Sequence, residues 1–380
     1  MQQHNDFTDI AVIGAGAWGT ALAITAARAG RTVRLWAREP EVVAAIDRDS
    51  ENTPFLPGHP IPAAVAATGD LAKAVDGADL VLLVVPSQFL RGTAAAVEAA
   101  LLAAEAATGA TDVPVVICAK GIERDSGKLM STLIEEEMPG RRLAVLSGPT
   151  FAEEVAAGLP SAITVASACA GNGHGDRSLA AQVALALGTP TFRPYISDDV
   201  IGVEVGGAVK NVLAIACGIA TGLGFRSNTR AALITRGLDE MKSLAETLGG
   251  RRETVTGLAG IGDLMLTCSS EQSRNMSFGL ALGRGESREA ILRGKAQVVE
   301  GVVNSASVTA LARRVGVEMP ICEAVHAVVE NGTDINEALS TLLGRPFKAE
   351  PKALDIALPH PGAADIDSHV EALTAEALPQ

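Results

Sequence analysis

The stretch DIAVIGAGAWGTALAITAARA, residues 9–29, decides the fold of the first half of the chain. A short buried-strand pattern leads into Gly14-Ala15-Gly16-Ala17-Trp18-Gly19, and an apolar helical pattern follows. In such a unit the first glycine makes the tight turn, the second lets a pyrophosphate approach the backbone, and the third lets the helix pack on the strand. Glycines also serve plain turns, but this position favours a dinucleotide-binding βα unit.

Strand-like and helix-like segments alternate through the first half of the chain. Continuous apolar runs indicate strands that are buried on both faces, and the Ala-rich segments between them have a helical period. The predicted strands are Asp9–Ile13, Thr32–Trp36, Leu80–Val85, Val113–Cys118 and Leu143–Leu146, with Leu159–Val165 and Thr191–Pro194 at the far edge. The predicted helices are Thr20–Ala29, Pro40–Asp49, Gln88–Ala104 and Lys128–Met138. The alternation predicts a Rossmann-type, doubly wound parallel α/β sheet.

The pattern changes near Ser197, after which helical periodicity dominates. We therefore expect a dinucleotide-binding domain over residues 1–196, an all-helical substrate and catalytic domain over 197–344, and a tail over 345–380. Prolines punctuate the tail, and one short helix is predicted there at Ile366–Ala377. Small polar residues predict surface loops at Ala104–Asp112 and Ala168–Arg177.

Composition excludes several classes of protein. The 380 residues carry 31 Lys and Arg against 44 Asp and Glu, a net charge of −13, which argues against a general nucleic-acid or anionic-membrane surface. The longest apolar runs, Leu80–Pro86 and Val212–Gly224, are shorter than a membrane span requires, and no basic signal-peptide region opens the chain. The five cysteines form no CxxC pair, so we expect a reducing cytoplasm and no metal site.

The end of the second strand bears on the choice of cofactor. Arg38 and Glu39 follow that strand, where an acidic residue commonly binds the ribose of NAD. A guanidinium suits a 2′-phosphate by charge and by geometry, which favours NADP(H), with NAD(H) also accepted. In the alternative interpretation Arg38 is solvated and Glu39 binds the ribose.

Further polar residues follow strands or lie in helical segments. Lys120 follows a predicted strand, at the edge where open α/β sheets bind ligands, although such a lysine is commonly just solvated. Lys210 lies in an apolar, glycine-rich helix, where it either extends to solvent or is desolvated. Asp263 follows the glycine-rich GLAGIGD, and Ser273-Arg274-Asn275 opens a predicted helix, which makes a good phosphate receptor. Together they suggest reduction of a small phosphorylated carbonyl compound.

With these motifs in place, the chain resembles bacterial NAD(P)-dependent glycerol-3-phosphate dehydrogenase from about Ile10 to Leu343. The resemblance is carried by GAGAWGTALA, VPSQFLR, AKGIE, SGPTFAEEVA, GGAVKNVLAIA, RAALITRGLDEM, GLAGIGDLMLTC, QSRN and QVVEG. Two departures are Ala17, where the family often has serine, and the tail beyond Leu343.

The resemblance implies an oxidoreductase that reduces dihydroxyacetone phosphate to sn-glycerol 3-phosphate for phospholipid synthesis. It further implies a cytoplasmic homodimer, with Lys210 as catalytic lysine and Asp263 as its partner. Besides Gly14, Gly16 and Gly19, the cofactor residues are Ala17, Trp18, Arg38, Lys120, Ala152, Arg274, Val298 and Glu300. The substrate residues are Lys120, Gly148, Thr150, Lys210, Asp263, Ser273, Arg274 and Asn275.

Two alternatives stay open at this point. Another two-domain dehydrogenase could act on a hydroxyacyl or sugar-acid substrate, but it would not need the phosphate receptor after Asp263. A non-catalytic NAD(P)-sensing protein would keep the fold, but it has no use for a proton donor such as Lys210. A capping box from Thr150 to Glu153 is likewise a purely structural interpretation of Thr150.

Overall fold

A computed structural model of the chain describes residues 7–108, 112–168, 178–293, 298–348 and 357–377. The chain divides into two compact units, Met1–Ala208 with Ala245–Leu266, and Val209–Leu244 with Thr267–Gln380. The first unit therefore extends past residue 196 and includes a second segment. Residues 109–111 and 169–177, within the two predicted surface loops, lie outside the described residues.

An eight-stranded sheet organises the first unit, and a two-stranded hairpin accompanies it. The strands are β1 (Asp9–Ile13), β2 (Thr32–Trp36), β3 (Glu51–Asn52), β4 (Leu56–Pro60), β5 (Val65–Thr68), β6 (Leu80–Leu83), β7 (Val115–Ile117), β8 (Leu143–Ser147), β9 (Ser161–Ala166) and β10 (Phe192–Ser197). The sheet order is β10-β9-β8-β7-β6-β1-β2-β5, and β3 pairs with β4. From β5 to β8 this is the doubly wound dinucleotide-binding order, which confirms the predicted fold class.

One pair of strands departs from the all-parallel expectation. Neighbouring strands of the large sheet are parallel except β8 and β9, which pair antiparallel through Leu146 and Val165. The sequence gives no sign of this reversal, because both strands are buried and apolar, as a parallel strand would be. The hairpin β3–β4 and strand β5 were also not predicted, since they lie in a short segment interrupted by prolines.

The first strand shows how the sequence produces the sheet. Ile10 and Val12 belong to one hydrophobic core, whereas Ala11 and Ile13 belong to another. Because successive side chains point to opposite faces of a strand, β1 supports both cores at once. All four residues are fully buried. The apolar run is continuous because the sheet is covered on both faces.

Within the described residues up to Leu187 there are seven α-helices. They are α1 (Ala17–Arg28), α2 (Pro40–Asp49), α3 (Leu71–Val75), α4 (Leu90–Thr108), α5 (Met130–Glu137), α6 (Ala152–Ala157) and α7 (Leu179–Leu187). A 3₁₀ turn, Ser87–Phe89, precedes α4. The predicted loop at Ala104–Asp112 is wrong at its start, because α4 continues to Thr108 through a run rich in the strong helix former alanine.

Helices also dominate the remainder, as predicted. They are α8 (Val200–Gly222), α9 (Ser227–Thr247), α10 (Arg252–Val255), a π-helical turn (Leu258–Gly262), α11 (Asp263–Ser269), α12 (Arg274–Gly283), α13 (Arg288–Leu292), α14 (Glu300–Arg314), α15 (Pro320–Asn331), α16 (Ile335–Leu343) and α17 (Ile366–Ala377). The predicted tail helix is confirmed as α17, where Val370 is buried. Strand β11 (Phe347–Lys348) pairs antiparallel with β12 (Ala357–Leu358).

Helix α8 corrects the expectation that the apolar segments are too short to span a membrane. It has 23 residues and is apolar enough by length and composition, but 83% of its most apolar window is buried inside the protein. Small residues let α12 approach it closely: a Cβ on Gly218 would lie 2.3 Å from the Met276 carbonyl oxygen, and one on Gly279 would lie 2.2 Å from that of Ile215. Its apolar character is therefore that of a packed core helix.

Candidate active site

The three glycines of the loop after β1 have different surroundings. Gly14 has a φ of +118°, and a Cβ there would lie 2.6 Å from the Val84 carbonyl oxygen. A Cβ on Gly19 would lie 1.8 Å from the Gly14 carbonyl oxygen, whereas one on Gly16 would meet no atom within 4 Å. Gly14 and Gly19 are thus required by the packing of the chain itself, and Gly16 leaves open space above the backbone.

That open space lies at the N-terminus of α1. Gly16 is the N-cap residue of α1, and no side chain caps the helix. The first turn of α1, all of whose residues the structure describes, carries no acidic residue. Unpaired first-turn amides with the positive end of the helix dipole attract a phosphate group. The loop therefore fits the pyrophosphate of a dinucleotide.

Asn52 supports the loop, although no motif in the sequence identifies it as a site residue. Its Nδ2 donates to the Ala15 carbonyl oxygen at 2.8 Å and to Thr20 Oγ1 at 2.7 Å, and the side chain is fully buried. The neighbouring Trp18 packs against the core, and its buried Nε1 has no hydrogen-bond partner among the described residues. Ala17 is the first residue of α1.

Arg38 and Glu39 lie side by side at the end of β2. The Arg38 side chain is 71% exposed, and its Nε and Nη2 donate to Glu39 Oε1 at 3.0 and 2.7 Å. The two side chains that could bind the adenosine ribose or its 2′-phosphate therefore both lie at the carboxyl end of β2, where they form an exposed ion pair with each other.

Four predicted site residues meet where β7 and β8 end. Lys120 Nζ donates to Asp263 Oδ2 at 2.6 Å and to the Gly148 carbonyl oxygen at 3.2 Å. The Lys120 side chain is 13% exposed, and that of Asp263 is fully buried. Thr150 Oγ1 donates to the same Gly148 carbonyl at 3.3 Å. A desolvated ion pair thus lies at the carboxyl edge of the sheet, where ligands bind in folds of this kind.

Close backbone packing holds this pair in place. Asp263 begins α11 directly after the π-helical turn, and such turns are frequent at functional sites. A Cβ on Gly206 would lie 2.4 Å from the Ala259 carbonyl oxygen, and one on Gly207 would lie 3.3 Å from Lys120 Cγ. The paired glycines of α8 therefore let its backbone lie against both Lys120 and the turn that presents Asp263.

A buried carboxyl group fixes the first turns of α8. Glu204 accepts hydrogen bonds from the Ser131 backbone N–H at 2.7 Å and the Ser131 hydroxyl at 2.5 Å. Ser131 lies in the first turn of α5, so the Glu204 carboxyl satisfies an otherwise unpaired helix amide. Burial raises the pKa of Glu204 to about 7, and the two hydrogen bonds oppose that rise.

Lys210 is buried, which agrees with the interpretation that its amine is desolvated and not extended to solvent. It is 7% exposed, and its Nζ donates to Thr267 Oγ1 at 3.0 Å. Thr267 was not among the predicted site residues. It follows Asp263 by four residues on α11, and that helical spacing places both side chains on one face, a signal the sequence does contain.

The predicted phosphate receptor forms the start of α12. Ser273 is its N-cap residue and accepts from the Met276 N–H at 3.3 Å, while Arg274 is exposed in its first turn. Asn275 is buried: its Nδ2 donates to Asn211 Oδ1 at 2.9 Å, and its Oδ1 accepts from the Gly301 N–H at 2.9 Å.

The remaining predicted residues lie at two other helix starts. Glu300 is the first residue of α14, where its Oε2 accepts from Asn211 Nδ2 at 3.4 Å, and Val298 precedes it with 38% exposure. Ala152 is the first residue of α6, whose N-cap residue is Phe151. The capping-box interpretation of Thr150 is therefore wrong, because Thr150 lies outside the helix. Within the described ranges no group of three or more His, Cys, Asp or Glu could hold a metal ion.

Comparison with known proteins identifies the family. The N-terminal model of NAD-dependent glycerol-3-phosphate dehydrogenase matches residues 9–172, and its C-terminal model matches residues 199–340. The glycerol-3-phosphate dehydrogenase (NAD(P)+) of Rhodospirillum rubrum is 52% identical over 341 residues, which covers 90% of this chain and 93% of the relative. The chain belongs to this family. The relative from Caulobacter vibrioides is 53% identical over 344 residues, 90% of this chain and 99% of its own length.

A solved structure shows the same relationship. Glycerol-3-phosphate dehydrogenase from Coxiella burnetii has a TM-score of 0.81 and 40% identity, over 89% of this chain and 99% of that one. The prediction of an NAD(P)-dependent oxidoreductase of the glycerol-3-phosphate dehydrogenase family is confirmed. The tail elements β11, β12 and α17 follow residue 340, where the match to the C-terminal family model ends.

Proposed function

We propose that the protein reduces dihydroxyacetone phosphate to sn-glycerol 3-phosphate with NAD(P)H, reversibly, and so supplies glycerophospholipid synthesis. The observation that carries the proposal is the convergence of Lys120, Gly148 and Asp263 at the carboxyl edge of the sheet. This edge belongs to the sheet that bears the dinucleotide loop, in a chain 52% identical to a glycerol-3-phosphate dehydrogenase.

The cofactor is proposed to bind through Gly14, Gly16 and Gly19, with the open face of Gly16 admitting its pyrophosphate. When bound, NAD(P)H supplies a hydride. The further cofactor residues are Ala17, Trp18, Arg38, Lys120, Ala152, Arg274, Val298 and Glu300. Exposure of the Arg38 guanidinium at the end of β2 supports a 2′-phosphate contact, and hence NADP(H), with NAD(H) also accepted.

Lys210 is proposed as the proton donor. Reduction of a carbonyl carbon leaves negative charge on its oxygen, and an ammonium within hydrogen-bond reach first polarises the carbonyl and then protonates the alkoxide. In the reverse direction the neutral amine accepts the hydroxyl proton. Burial of Lys210 and its bond to Thr267 support this role, because they hold the amine in one direction in a weakly solvated place.

Lys120 is proposed as a fixed cation that touches substrate and cofactor. Its hydrogen bond to Asp263 holds the ammonium at the end of β7. A second N–H donates to the carbonyl oxygen of Gly148, the residue that follows β8. Asp263 thus acts as a positioning carboxylate for Lys120. The resemblance makes Asp263 the partner of Lys210 and a substrate residue, and this positioning role is added to those two.

The substrate phosphate is proposed to bind Ser273, Arg274 and Asn275, with Gly148 and Thr150 as further substrate contacts. An exposed guanidinium in the first turn of a ten-residue helix offers a charge and a favourable dipole to a dianion. The amide of Asn275 is held by Asn211 and Gly301, so its orientation is set before any ligand arrives.

A spectrophotometric assay of NADPH loss in the presence of dihydroxyacetone phosphate tests the proposal. Unphosphorylated dihydroxyacetone is the matched control substrate, and Arg274→Ala is the matched variant. We expect turnover with the phosphorylated compound, far less with the control, and a large rise in KM in the variant. Equal activity on both compounds, or activity only on hydroxyacyl or sugar-acid substrates, would refute the assignment.

We further propose a cytoplasmic homodimer, with most of the substrate contacts in residues 197–344 and most of the cofactor contacts in residues 1–196. The family resemblance supports the dimer, and the cysteine usage supports the compartment. Light scattering coupled to size-exclusion chromatography tests the dimer, since a monomeric mass at micromolar concentration would contradict it.

A further inference from the structure

A cavity of about 500 Å³ lies within the second unit. Helices α8, α9, α15 and α16 line it, and Arg345–Phe347 completes the wall. Among its described lining residues there is none to which a substrate or cofactor role is assigned above. The cavity therefore needs an explanation separate from the proposed reaction.

The lining is mostly aliphatic. Each of the four helices contributes alanine, valine, isoleucine or leucine side chains, as Ala220, Leu233, Val325 and Leu339 illustrate. Cavities of roughly 300–1,000 Å³ with such walls and few polar groups are typical small-molecule sites. An alkyl chain can adapt to an irregular aliphatic wall by rotating about its single bonds.

The charged lining residues are paired within the wall. Arg236 Nη2 lies 3.2 Å from Asp239 Oδ2, and Arg345 Nη2 lies 2.9 Å from Glu318 Oε2. A charged ligand would compete with these pairs and lose its own hydration, whereas an uncharged ligand would leave them intact.

The fifth charged lining residue, Glu240, also has partners within the wall. It accepts hydrogen bonds from the N–H groups of Ile321 at 2.8 Å and Cys322 at 3.3 Å, in the first turn of α15. The carboxyl group thus satisfies helix amides that would otherwise be unpaired. The charge pattern as a whole is complementary to an occupant without net charge.

We propose that the second unit binds an uncharged molecule bearing an alkyl chain in this cavity. Part of the wall is formed by Arg345, Pro346 and Phe347, which follow residue 340, where the match to the C-terminal family model ends. The site is independent of the dehydrogenase activity, so the two proposals succeed or fail separately.

Adjacent alanines on α9 provide a matched pair of variants. Ala231 and Ala232 are both exposed, but only Ala232 is among the cavity-lining residues described. Ala232→Phe extends a bulky ring at the cavity, and Ala231→Phe has the same helix propensity on the same helix. Because both positions are exposed, both variants are expected to fold, with melting temperature and dehydrogenase activity as checks.

Binding of dodecan-1-ol to the full-length protein, followed by displacement of Nile red fluorescence, tests the proposal. We expect saturable displacement in the parent protein and in Ala231→Phe, and affinity weaker by roughly tenfold or more in Ala232→Phe, a loss of at least about 1.4 kcal/mol. Absent displacement, or equal displacement from both variants, overturns it. A second copy of the chain as occupant also overturns it: dodecan-1-ol would then not bind, and Ala232→Phe alone would lower the mass measured by light scattering.

Discussion

Two lysines with little solvent exposure, Lys120 after β7 and Lys210 in the middle of α8, both donate to side chains of α11. Lys120 donates to the carboxylate of Asp263, whereas Lys210 donates to the hydroxyl of Thr267. Asp263 and Thr267 are one turn apart on α11, so a single helix supplies both partners. The roles proposed for the two amines differ: Lys120 is a fixed cation and Lys210 is the proton donor, so their variants should differ in turnover.

The largest expected effect is on turnover in Lys210→Ala. Removal of a general acid typically lowers kcat by ~10²–10⁴, because the alkoxide must then find its proton elsewhere. Steady-state kinetics with NADPH and dihydroxyacetone phosphate measure the loss, and fluorescence quenching by NADPH should show nearly unchanged cofactor binding. A kcat near that of the parent would transfer the acid role to Lys120 and reverse the comparison.

The next effect is on stability, and it concerns the pair of Lys120 with Asp263. Lys120→Met removes the ammonium that lies 2.6 Å from the fully buried Asp263 carboxylate, and removal of one partner of a buried pair typically costs about 3–5 kcal/mol.

Urea unfolding at neutral pH measures Lys120→Met against Lys128→Met. The second variant is the control, because the Lys128 side chain is 39% exposed in a surface ion pair with Glu136. Equal destabilisation by the two variants would show that the buried carboxylate does not depend on the Lys120 ammonium.

A smaller effect tests the helix that carries Lys210. Burial raises the pKa of Glu204 to about 7, above the ordinary value of 4.5, so the folded state binds the proton more tightly than the unfolded state. The stabilisation from this proton is fully present below pH ~4.5 and is lost as pH rises through about 7, a change of roughly 3 kcal/mol. Glu204→Gln should abolish that dependence.

Urea unfolding of the parent and Glu204→Gln at pH 5 and pH 8 checks the sign. The parent should lose stability relative to the variant as pH rises. A difference between the two proteins that is the same at both pH values would mean that Glu204 keeps its ordinary pKa.

The smallest effect concerns an exposed pair, which serves as a contrast to the buried one. Arg38→Asp replaces an attraction for the 2′-phosphate with a repulsion, and charge-assisted hydrogen bonds contribute about 1.5–3 kcal/mol. The ratio of kcat/KM for NADPH over NADH should fall by roughly ten- to a hundredfold. An unchanged ratio would favour Glu39 as the ribose ligand, and Glu39→Gln would then weaken NADH use.

Most of the first unit could be predicted from the sequence, because a strand that is buried on both faces has a continuous apolar run, as in Asp9–Ile13. The reversal between β8 and β9 was not readable, since buried strands look alike in either direction. Within the site, local motifs identified Lys120 and Asp263 but not their pairing, because 143 residues separate them. Thr267 was accessible only through its helical spacing from Asp263.

Chemical rescue of Lys210→Ala by methylamine tests the central claim most directly, because it asks whether a free amine can replace the missing proton donor. Lys120→Ala is the matched control. We predict a saturable, concentration-dependent recovery of kcat in Lys210→Ala, greater at a pH where methylamine is protonated, and no such recovery in Lys120→Ala. Recovery in Lys120→Ala and none in Lys210→Ala would contradict the assignment of the proton to Lys210.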